Sequence, residues 1–276
     1  MLNILTVDLE EWYHPEYVKN KMLPYKEERI QHSLKTTLNL LNKHNLKVTF
    51  FIVGELAEKN PEIIKNIREN NHEIAFHGYN HEPLWNLNAD ILRTEIRNFN
   101  SLIGEKCAGF RAPSFSLSNK TKWALKVLEN CGCQYDSSLF PAKTPLYGVW
   151  NAPTTPYRPS HENITKEDEK TKLWEFPLLV YRLGGIKVPV AGGFYMRFFP
   201  VNLIARAIKK LNQKGFPAVI FFHNWELDPE TPRLELGLYR YFVTYHKLKE
   251  TSKKLERLLS KFQFTSIKEY MESYIA

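Results

Sequence analysis

The sequence predicts an α/β protein in which parallel strands alternate with helices. Short apolar runs rich in β-branched and aromatic residues recur along the chain, and residues 48–53 are the clearest of them. Stretches with one apolar face separate these runs, as in residues 27–44. Polar clusters follow several runs, at the edge of the sheet where proteins of this class place their sites. With 276 residues the chain is long enough for one large core, so we expect a single domain spanning residues 1–276.

The first half of the chain contains four predicted strands and four predicted helices. Three of the strands are the largely apolar runs at residues 2–7, 48–53 and 74–76, and the fourth is a short predicted strand at residues 134–136. The helices are residues 27–44, 55–70 with a break before Pro61, 88–103 and 119–130. Asn88 is suited to cap the third of these helices, and Gly104 lies just past its end. Residues 15–24 are predicted to form an irregular loop, and residues 109–115 a strand end.

The second half begins with residues 137–172, where five prolines accompany aromatic and charged residues. Such a segment predicts a long loop, and long loops within a compact domain are usually functional. Further predicted strands are residues 173–179, 187–190 and 218–222. Further predicted helices are residues 200–214, which begin with proline, residues 234–259, and a short helix at the end of the chain.

Composition restricts the class of protein. The hydrophobic content is 43% and the charged content 25%, with no apolar run of about 18 residues, so we expect a soluble protein. No secretory pattern is visible, which favours the cytoplasm. The net charge of +8 favours an anionic polymer, a lipid-phosphate carrier or an anionic membrane surface as a partner, with a solvated basic surface as the alternative. Nucleic acid is disfavoured because the cations are scattered without a binding motif. The three cysteines are expected to be free thiols.

Two histidines four residues apart, His77 and His81, follow the predicted strand at residues 74–76. If the intervening stretch makes one helical turn, both imidazoles reach one ion. The third ligand is expected from the carboxylates that follow the first strand, Asp8, Glu10 and Glu11. One carboxylate and two imidazoles leave coordination positions open, which suits a catalytic metal. A surface histidine pair without metal is the alternative.

Four short motifs in this order resemble those of the polysaccharide deacetylase family, also called the NodB-homology group or carbohydrate esterase family four. Residues 6–10, Thr-Val-Asp-Leu-Glu, are similar to its acidic motif, and residues 77–81, His-Gly-Tyr-Asn-His, to its paired-histidine motif. Residues 111–113, Arg-Ala-Pro, are similar to its arginine-proline motif, and residues 221–223, Phe-Phe-His, to its last histidine motif. The likeness covers nearly the whole chain.

The second half resembles a subgroup associated with bacterial exopolysaccharide synthesis loci. The likeness rests on residues 192–197, Gly-Gly-Phe-Tyr-Met-Arg, on residues 223–229, and on the predicted long helix after Pro232. The resemblance implies a distorted (β/α)7 barrel with a divalent metal at the carboxyl ends of the strands, and a C-terminal extension from about residue 173. It also implies hydrolysis of an N-acetyl group from a hexosamine, in a bacterial polysaccharide or its lipid-linked precursor.

The resemblance also implies a metal site. Glu10, His77 and His81 would hold the ion, although the family most often has a second aspartate where Leu9 stands. Glu11 is the rival of Glu10, but in an extended strand Glu10 shares the side of Asp8 and Glu11 does not. Zinc suits these ligands best, and cobalt, nickel or manganese would also fit.

The same resemblance implies the catalytic roles. Asp8 would be the general base, paired with Arg111, and His223 the general acid. The backbone N–H of Ser114 would stabilise the oxyanion. The carboxylate partner of His223 stays open among Asp136, Glu175 and Asp228. Substrate contacts are predicted from residues in the loops at the site: Trp12, Trp85, Tyr195, Arg197 and Trp225.

Two other functions remain compatible with the sequence. The same site would suit hydrolysis of a small or cyclic amide, because the fold does not fix the substrate. A glycan-binding module with a decayed site is the non-enzymatic alternative, since Leu9 stands in the place of a ligand.

Overall fold

The structure is a computed structural model that describes residues 1–19 and 27–275. Its strands are β1 (Leu2–Leu9), β2 (Thr49–Ile52), β3 (Glu73–Phe76), β4 (Gly109–Phe110), β5 (Tyr135–Asp136), β6 (Trp174–Glu175), β7 (Val180–Leu183), β8 (Ile186–Pro189), β9 (Val219–His223) and β10 (Gln263–Thr265). Its helices are α1 (Glu16–Lys19), α2 (Ile30–Lys43), α3 (Gly54–Lys59), α4 (Pro61–Glu69), α5 (Ala89–Ile103), α6 (Trp123–Asn130), α7 (Gly193–Phe198), α8 (Val201–Asn212), α9 (Leu238–Tyr245), α10 (Thr251–Leu259) and α11 (Ile267–Tyr274). Short 3₁₀ turns occupy Leu84–Asn86, Pro113–Phe115, Asn224–Leu227 and Leu248–Glu250.

Eight of the strands form one parallel sheet in the order β10-β1-β2-β3-β4-β5-β6, with β9 paired to β1 as well. The seven strands from β9 round to β6 curl into an incomplete barrel, and the backbone N–H of Leu179 donates to the Val219 carbonyl at 3.0 Å across the gap. The predicted α/β class and distorted barrel are therefore confirmed. The remaining strands, β7 and β8, form a separate antiparallel hairpin.

The central strand β1 has three partners, so its polar residues are positioned by the whole sheet. It pairs with β10 near its start and with β2 and β9 near its end. Asp8 lies in register with Phe51 of β2 and His223 of β9. Because the carboxyl ends of parallel strands meet at one edge, the register brings the side chains at the ends of β1 and β9 to the same place.

Local signals in the sequence set several helix ends as predicted. The Asn88 side chain accepts hydrogen bonds from the N–H groups of Asp90 and Ile91, both at 3.0 Å. Gly104 ends the same helix with φ 71°. Pro61 begins α4 after the predicted break.

Three element predictions were wrong. Residues 234–259 are not one helix, because Lys247 adopts φ 50° and separates α9 from α10. The predicted strand at residues 173–179 shrinks to β6, and the predicted helix at residues 119–130 begins only at Trp123. An apolar pattern continues through a left-handed residue or an irregular segment, so periodicity alone misses these breaks.

Of the two predicted loops, one is partly helical and the other contains no helix or strand. The short helix α1 occupies part of the predicted loop at residues 15–24, while residues 20–24 lie outside the described part of the chain. Residues 137–172 contain only isolated bridges, such as that between Tyr157 and Glu175, and no helix or strand. Even so, Phe140, Tyr157 and Ile164 are buried, so this loop packs on the barrel.

One continuous apolar core extends from Ile4 to Tyr270, and both halves of the chain contribute to it. All three cysteines are free thiols, with Cys107 and Cys133 buried and Cys131 half-buried. Among the described residues, no helix combines the length and the apolar character that crossing a bilayer requires.

Candidate active site

A cavity of about 720 Å³, counted with its open mouth, lies at the carboxyl ends of β1, β3 and β9. Its floor is polar and its walls are largely aromatic and aliphatic. The lining residues are Asp8, Glu10, Pro15, Glu16, Tyr17, His77, His81, Ser114, Phe115, Leu146, Tyr147, Gly193, Phe194, Arg197, Phe221, His223, Trp225, Val243 and Thr244. A concave site with a few convergent polar groups is the usual form of a small-molecule site.

Glu10, His77 and His81 form a buried cluster on the floor of this cavity. Each offers one ligand atom, and these atoms lie within 4.8 Å of one another. Nδ1 of His77 donates to the Arg111 carbonyl at 2.8 Å, which leaves Nε2 available as a metal ligand. Nε2 of His81 lies 2.8 Å from Oε2 of Glu10. The three residues that the sequence predicted as ligands are thus brought together.

The charge states in this cluster suit a divalent cation. Burial alone would raise the pKa of Glu10, but His81 and His223 lower it well below its usual range, so Glu10 is ionised. Burial lowers the pKa of His77 to about 4, so this imidazole is neutral. Metal ligands of these types must be deprotonated, and a carboxylate with two imidazoles is a donor set that zinc accepts. The residues present therefore fit the metal that the fold implies.

Glu11, the rival ligand, has a different structural role. Its Oε1 accepts hydrogen bonds from the N–H groups of Arg29 and Ile30, at 2.8 and 2.9 Å, at the N-terminus of α2. These N–H groups have no partner within the helix, and the carboxylate satisfies them. Glu11 therefore faces α2, whereas Glu10 faces the histidine pair.

Asp8 forms a buried ion pair with Arg111. Nη1 of Arg111 donates to Oδ1 of Asp8 at 2.5 Å and to the Thr6 hydroxyl at 2.7 Å. The guanidinium also donates to the backbone carbonyl and the hydroxyl of Ser137, and it lies 4.1 Å from the centroid of the Phe51 ring. Arg111 is fully buried, so these contacts hold its charge beneath the cavity floor and fix the orientation of Asp8.

His223 projects into the cavity from the end of β9. Its Nε2 lies 3.6 Å from Oε1 of Glu10, and its Nδ1 lies 3.1 Å from Oε2 of Glu226. Burial would lower the pKa of His223, but Glu10 and Glu226 overcome this effect and raise it to about 9. The imidazole is therefore protonated at neutral pH in the metal-free protein. The Trp225 ring stacks on it at 5.4 Å, and the indole N–H donates to Glu10 at 3.0 Å.

Glu226 is a site residue that the sequence analysis missed. None of the three carboxylates considered there contacts His223 in the described residues. Asp136 and Glu175 lie side by side on β5 and β6, where they interact with each other, and Asp228 pairs with Arg29. Glu226 follows His223 by three residues in a 3₁₀ turn, and this spacing was the available signal.

Arg197 lines the cavity and holds Glu226 in place. Its Nε donates to Glu226 at 2.7 Å, and its two terminal nitrogens donate to the carbonyls of His246 and Val243. Burial opposes ionisation of Glu226, but Arg197 and His223 lower its pKa to about 2. Arg197 thus fixes a negative charge behind His223, and its predicted contact with a substrate stays a prediction.

Three non-glycine residues in the cavity lining have left-handed backbones: His81, Ser114 and Phe115, with φ of 51°, 54° and 49°. Such conformations cost free energy and concentrate at functional sites. Ser114 is half-buried in the turn after Arg111. Its backbone is thus placed at the cavity wall by an unusual conformation.

The predicted aromatic contacts are only partly present. Trp225 lines the cavity. Trp12 is buried at 3% exposure, and its indole N–H donates to the Glu27 carbonyl at 2.8 Å. Trp85 is 48% exposed, and Tyr195 packs beside Phe140. Trp12, Trp85 and Tyr195 are therefore not part of the described cavity lining.

The fold and the site together define a class: an α/β protein whose curled parallel sheet carries a candidate metal site at its carboxyl edge. Residues 25–135 match the polysaccharide deacetylase family, and residues 137–272 match a domain of unknown function, DUF3473. Residues 25–135, about two fifths of the chain, are thus similar to the polysaccharide deacetylase family. The cavity uses both parts, because His77 and His81 lie in the first match and His223 in the second.

Curated relatives match parts of the chain. It is 39% identical over 94 residues to a peptidoglycan-N-acetylglucosamine deacetylase of Bacillus cereus, which covers 32% of this chain and 34% of the relative. It is 33% identical over 106 residues to a peptidoglycan deacetylase of Helicobacter pylori, which covers 37% of this chain and 35% of the relative. The chain thus spans about a third of the length of these two relatives.

Solved structures share the fold over almost the whole chain. A protein of Mycobacterium smegmatis assigned as a polysaccharide deacetylase superimposes with a TM-score of 0.60 at 18% identity, covering 98% of this chain and 90% of that one. One of Pseudomonas aeruginosa with the same assignment gives a TM-score of 0.56 at 17% identity, covering 95% and 86%. The Puue allantoinase gives a TM-score of 0.54 at 15% identity, covering 95% and 85%. These likenesses establish the fold.

Proposed function

We propose that this chain is a metal-dependent hydrolase that removes the N-acetyl group from a hexosamine, in a glycan or its lipid-linked precursor. One observation carries the proposal: the Asp8–Arg111 pair, the Glu10, His77 and His81 cluster, and His223 all meet in one cavity. The match of residues 25–135 to the polysaccharide deacetylase family and the sequence likeness to peptidoglycan deacetylases support an N-acetylated sugar as the substrate.

Glu10, His77 and His81 would hold the divalent metal. When bound, the metal supplies a Lewis acid that polarises the amide carbonyl and acidifies water. Zinc is the metal that we propose, because two imidazoles and one carboxylate are common zinc ligands, and cobalt, nickel and manganese accept the same donors.

The remaining residues divide the proton transfers between them. Asp8, held in place by its ion pair with Arg111, accepts a proton from the attacking water as the water oxygen bonds to the acetyl carbon. The backbone N–H of Ser114 stabilises the negative charge that develops on the carbonyl oxygen. His223, protonated and held by Glu226, donates a proton to the amide nitrogen as the carbon–nitrogen bond breaks. The products are acetate and the free amine of the sugar.

The test combines metal analysis with acetate release. The purified chain is loaded with zinc, and acetate is measured enzymatically after incubation with N-acetylated chito-oligosaccharides and with peptidoglycan fragments. Allantoin is the cyclic amide, and its hydrolysis is followed by the formation of allantoate. We expect His77→Ala to lose both metal and activity. We expect Asp8→Asn and His223→Ala to lose activity while they retain metal. Matched melting curves exclude unfolding as the cause.

Two results would overturn the proposal in different ways. Turnover of allantoin without acetate release would favour hydrolysis of a small cyclic amide, which the structural likeness to an allantoinase makes a second candidate. Glycan binding that persists without metal, with no acetate released from any substrate, would instead establish a binding module with a decayed site.

The finer assignment to exopolysaccharide synthesis stays a prediction. It rests on residues 192–197 and 223–229, which lie within the DUF3473 match and contribute Arg197, His223 and Glu226 to the site. Greater acetate release from an N-acetylated exopolysaccharide than from peptidoglycan fragments would support it.

A further inference from the structure

An exposed apolar surface lies beside the mouth of the cavity. We call it the aromatic rim; it consists of Phe198 on α7 with Leu238, Tyr239, Tyr241 and Phe242 on α9. Phe194, which lines the cavity, connects the two places, because its ring centroid lies 5.4 Å from that of Phe198 and 5.6 Å from that of Phe242.

The aromatic rim is unusual because helix α9 exposes five consecutive residues, 238–242, of which four are apolar. Leu238 is 93% exposed. The same helix is anchored by its last turn, where Thr244 and Tyr245 are buried. Single exposed apolar side chains are ordinary, but a contiguous apolar surface usually marks an interaction site. The helix therefore exposes these apolar side chains to solvent.

Cations lie directly beside the aromatic rim. A surface pocket of about 600 Å³ is lined by Phe198 together with Lys247, Lys254 and Arg257. A second pocket shares Asn202 with the first and continues the positive charge through Arg206, Lys209 and Lys261. The described lining of these two pockets contains no carboxylate. We call the exposed cations Lys247, Arg257, Arg206, Lys209 and Lys261 the basic strip.

We propose that the aromatic rim and the basic strip together dock this protein on an anionic lipid bilayer. Apolar side chains enter the boundary between headgroups and acyl chains, while adjacent lysines and arginines pair with lipid phosphates. The charge argues against a second copy as the occupant, because a two-fold contact would bring two basic strips close together. An anionic glycan would match the strip and stack on the rings of the rim, but it would leave the aliphatic Leu238, which is 93% exposed, in water.

Docking at this place gives the cavity a membrane-facing mouth. Val243 and Thr244 of α9 line the cavity, and the exposed residues of the same helix belong to the rim. A sugar attached to a lipid would therefore reach the mouth without leaving the bilayer surface. This consequence for the substrate rests on the proposed function, whereas the docking itself does not.

Vesicle binding tests the docking without any substrate. The full chain is sedimented with vesicles of phosphatidylcholine mixed with phosphatidylglycerol, and with vesicles of phosphatidylcholine alone. We expect binding to the anionic vesicles and little to the neutral ones. Added salt should weaken the binding, because it screens exposed charges over about 8 Å at physiological ionic strength.

Two double variants separate the apolar and the electrostatic parts. Leu238→Ser with Phe242→Ser shortens the rim, and Lys247→Glu with Arg257→Glu reverses two charges of the strip. Each basic side chain near an anionic surface is worth about fivefold in affinity, so the charge variant should lose at least about 20-fold. The rim variant should bind anionic vesicles more weakly, with its salt dependence retained.

Matched controls change other parts of the surface by the same chemistry. Leu183→Ser with Ile186→Ser alters the exposed hairpin of β7 and β8, and Lys35→Glu with Lys126→Glu makes the same change in net charge on α2 and α6. Both controls should bind anionic vesicles almost as well as the unaltered protein. His77→Ala should also bind, because it changes only the site.

Three results would overturn the docking proposal. In the first, the unaltered protein does not bind anionic vesicles. In the second, the control variants lose as much vesicle binding as the test variants. In the third, the protein is a dimer in solution and the rim variant is a monomer. The last result would assign the rim to a second copy. Failure of docking with continued acetate release from a soluble glycan leaves the proposed function intact. Docking without acetate release from any substrate would refute the proposed function and leave the docking proposal intact.

Discussion

The Glu226→Gln variant tests the role assigned to the residue behind His223. Oε1 of Glu226 accepts from Nε of Arg197, and Oε2 accepts from the backbone N–H of His223. The substitution keeps the shape of the side chain and one of these two acceptor oxygens, and it removes the negative charge. If that charge helps to keep His223 protonated, the pKa of His223 must fall in the variant. Because His223 is the proposed proton donor, its ability to act at neutral or higher pH depends on this charge.

The structure sets the size of the expected change. The pKa of His223 rises from 6.5 to about 9, although burial opposes the rise. That difference corresponds to about 3 kcal/mol in favour of the imidazolium. Glu10 and Glu226 are the main causes, and Glu226 alone is hydrogen-bonded to Nδ1 at 3.1 Å. An opposite charge in contact with an ionisable group changes the pKa of that group by about 1 to 3 units. Removal of the charge of Glu226 should therefore lower the pKa of His223 by at least about 1 unit.

The measurement is an NMR titration of the His223 ring in the metal-free protein, where the pKa of about 9 applies. His223→Gln assigns the resonance, and Glu230→Gln, a change of one charge on an exposed side chain, is the control. In the zinc-loaded enzyme, the alkaline limb of kcat/KM should move to lower pH in the Glu226→Gln variant. An unchanged His223 titration, or a change of the same size in Glu230→Gln, would refute the reasoning.

Three further predictions concern stability and reactivity. Arg111→Met should destabilise the protein by about 3 to 5 kcal/mol in urea unfolding, because Asp8 is left buried without its partner, and adding Asp8→Asn should recover part of this loss. Burial raises the folded pKa of Glu11 from 4.5 to about 7. The protonated side chain of Glu11 therefore contributes fully to stability at low pH, and this contribution is lost as pH rises through the range between these two pKa values. The free energy of unfolding of Glu11→Gln should consequently rise relative to that of the unaltered protein between about pH 5 and about pH 8. A thiol reagent should label Cys131 first in the native protein, because Cys107 is buried and its pKa is raised to about 12, and it should label all three cysteines in urea.

The sequence predicted those features that local patterns specify. The alternation of apolar runs and amphipathic stretches determines the order of strands and helices, and Asn88 and Gly104 set the ends of α5 by side-chain capping and by a left-handed backbone. Alternation along β1 placed Glu10 on the side of Asp8, and the structure turns Glu11 towards α2. These inferences need only the chain on either side of a residue.

The misses depend on tertiary contacts or on single backbone angles. Glu226 reaches His223 because residues 224–227 form a 3₁₀ turn and Arg197 holds the carboxylate from another helix. Neither fact is visible in the spacing of motifs. The break at Lys247 is one left-handed residue within an otherwise helical pattern. Nothing in the sequence around Trp12 indicates that its indole is buried and donates to the Glu27 carbonyl.

The pairing of β1 has a consequence for how the chain acquires its structure. Two of the three neighbours of β1, which are β9 and β10, are synthesised more than 200 residues after it. A nascent chain that has not yet reached residue 219 therefore has an unprotected hydrogen-bonding edge along this largely buried strand. Contacts this distant in sequence slow folding and prolong the exposure of aggregation-prone intermediates. Recombinant yield should accordingly depend on chaperones and on growth temperature, and truncation before β9 should yield insoluble protein.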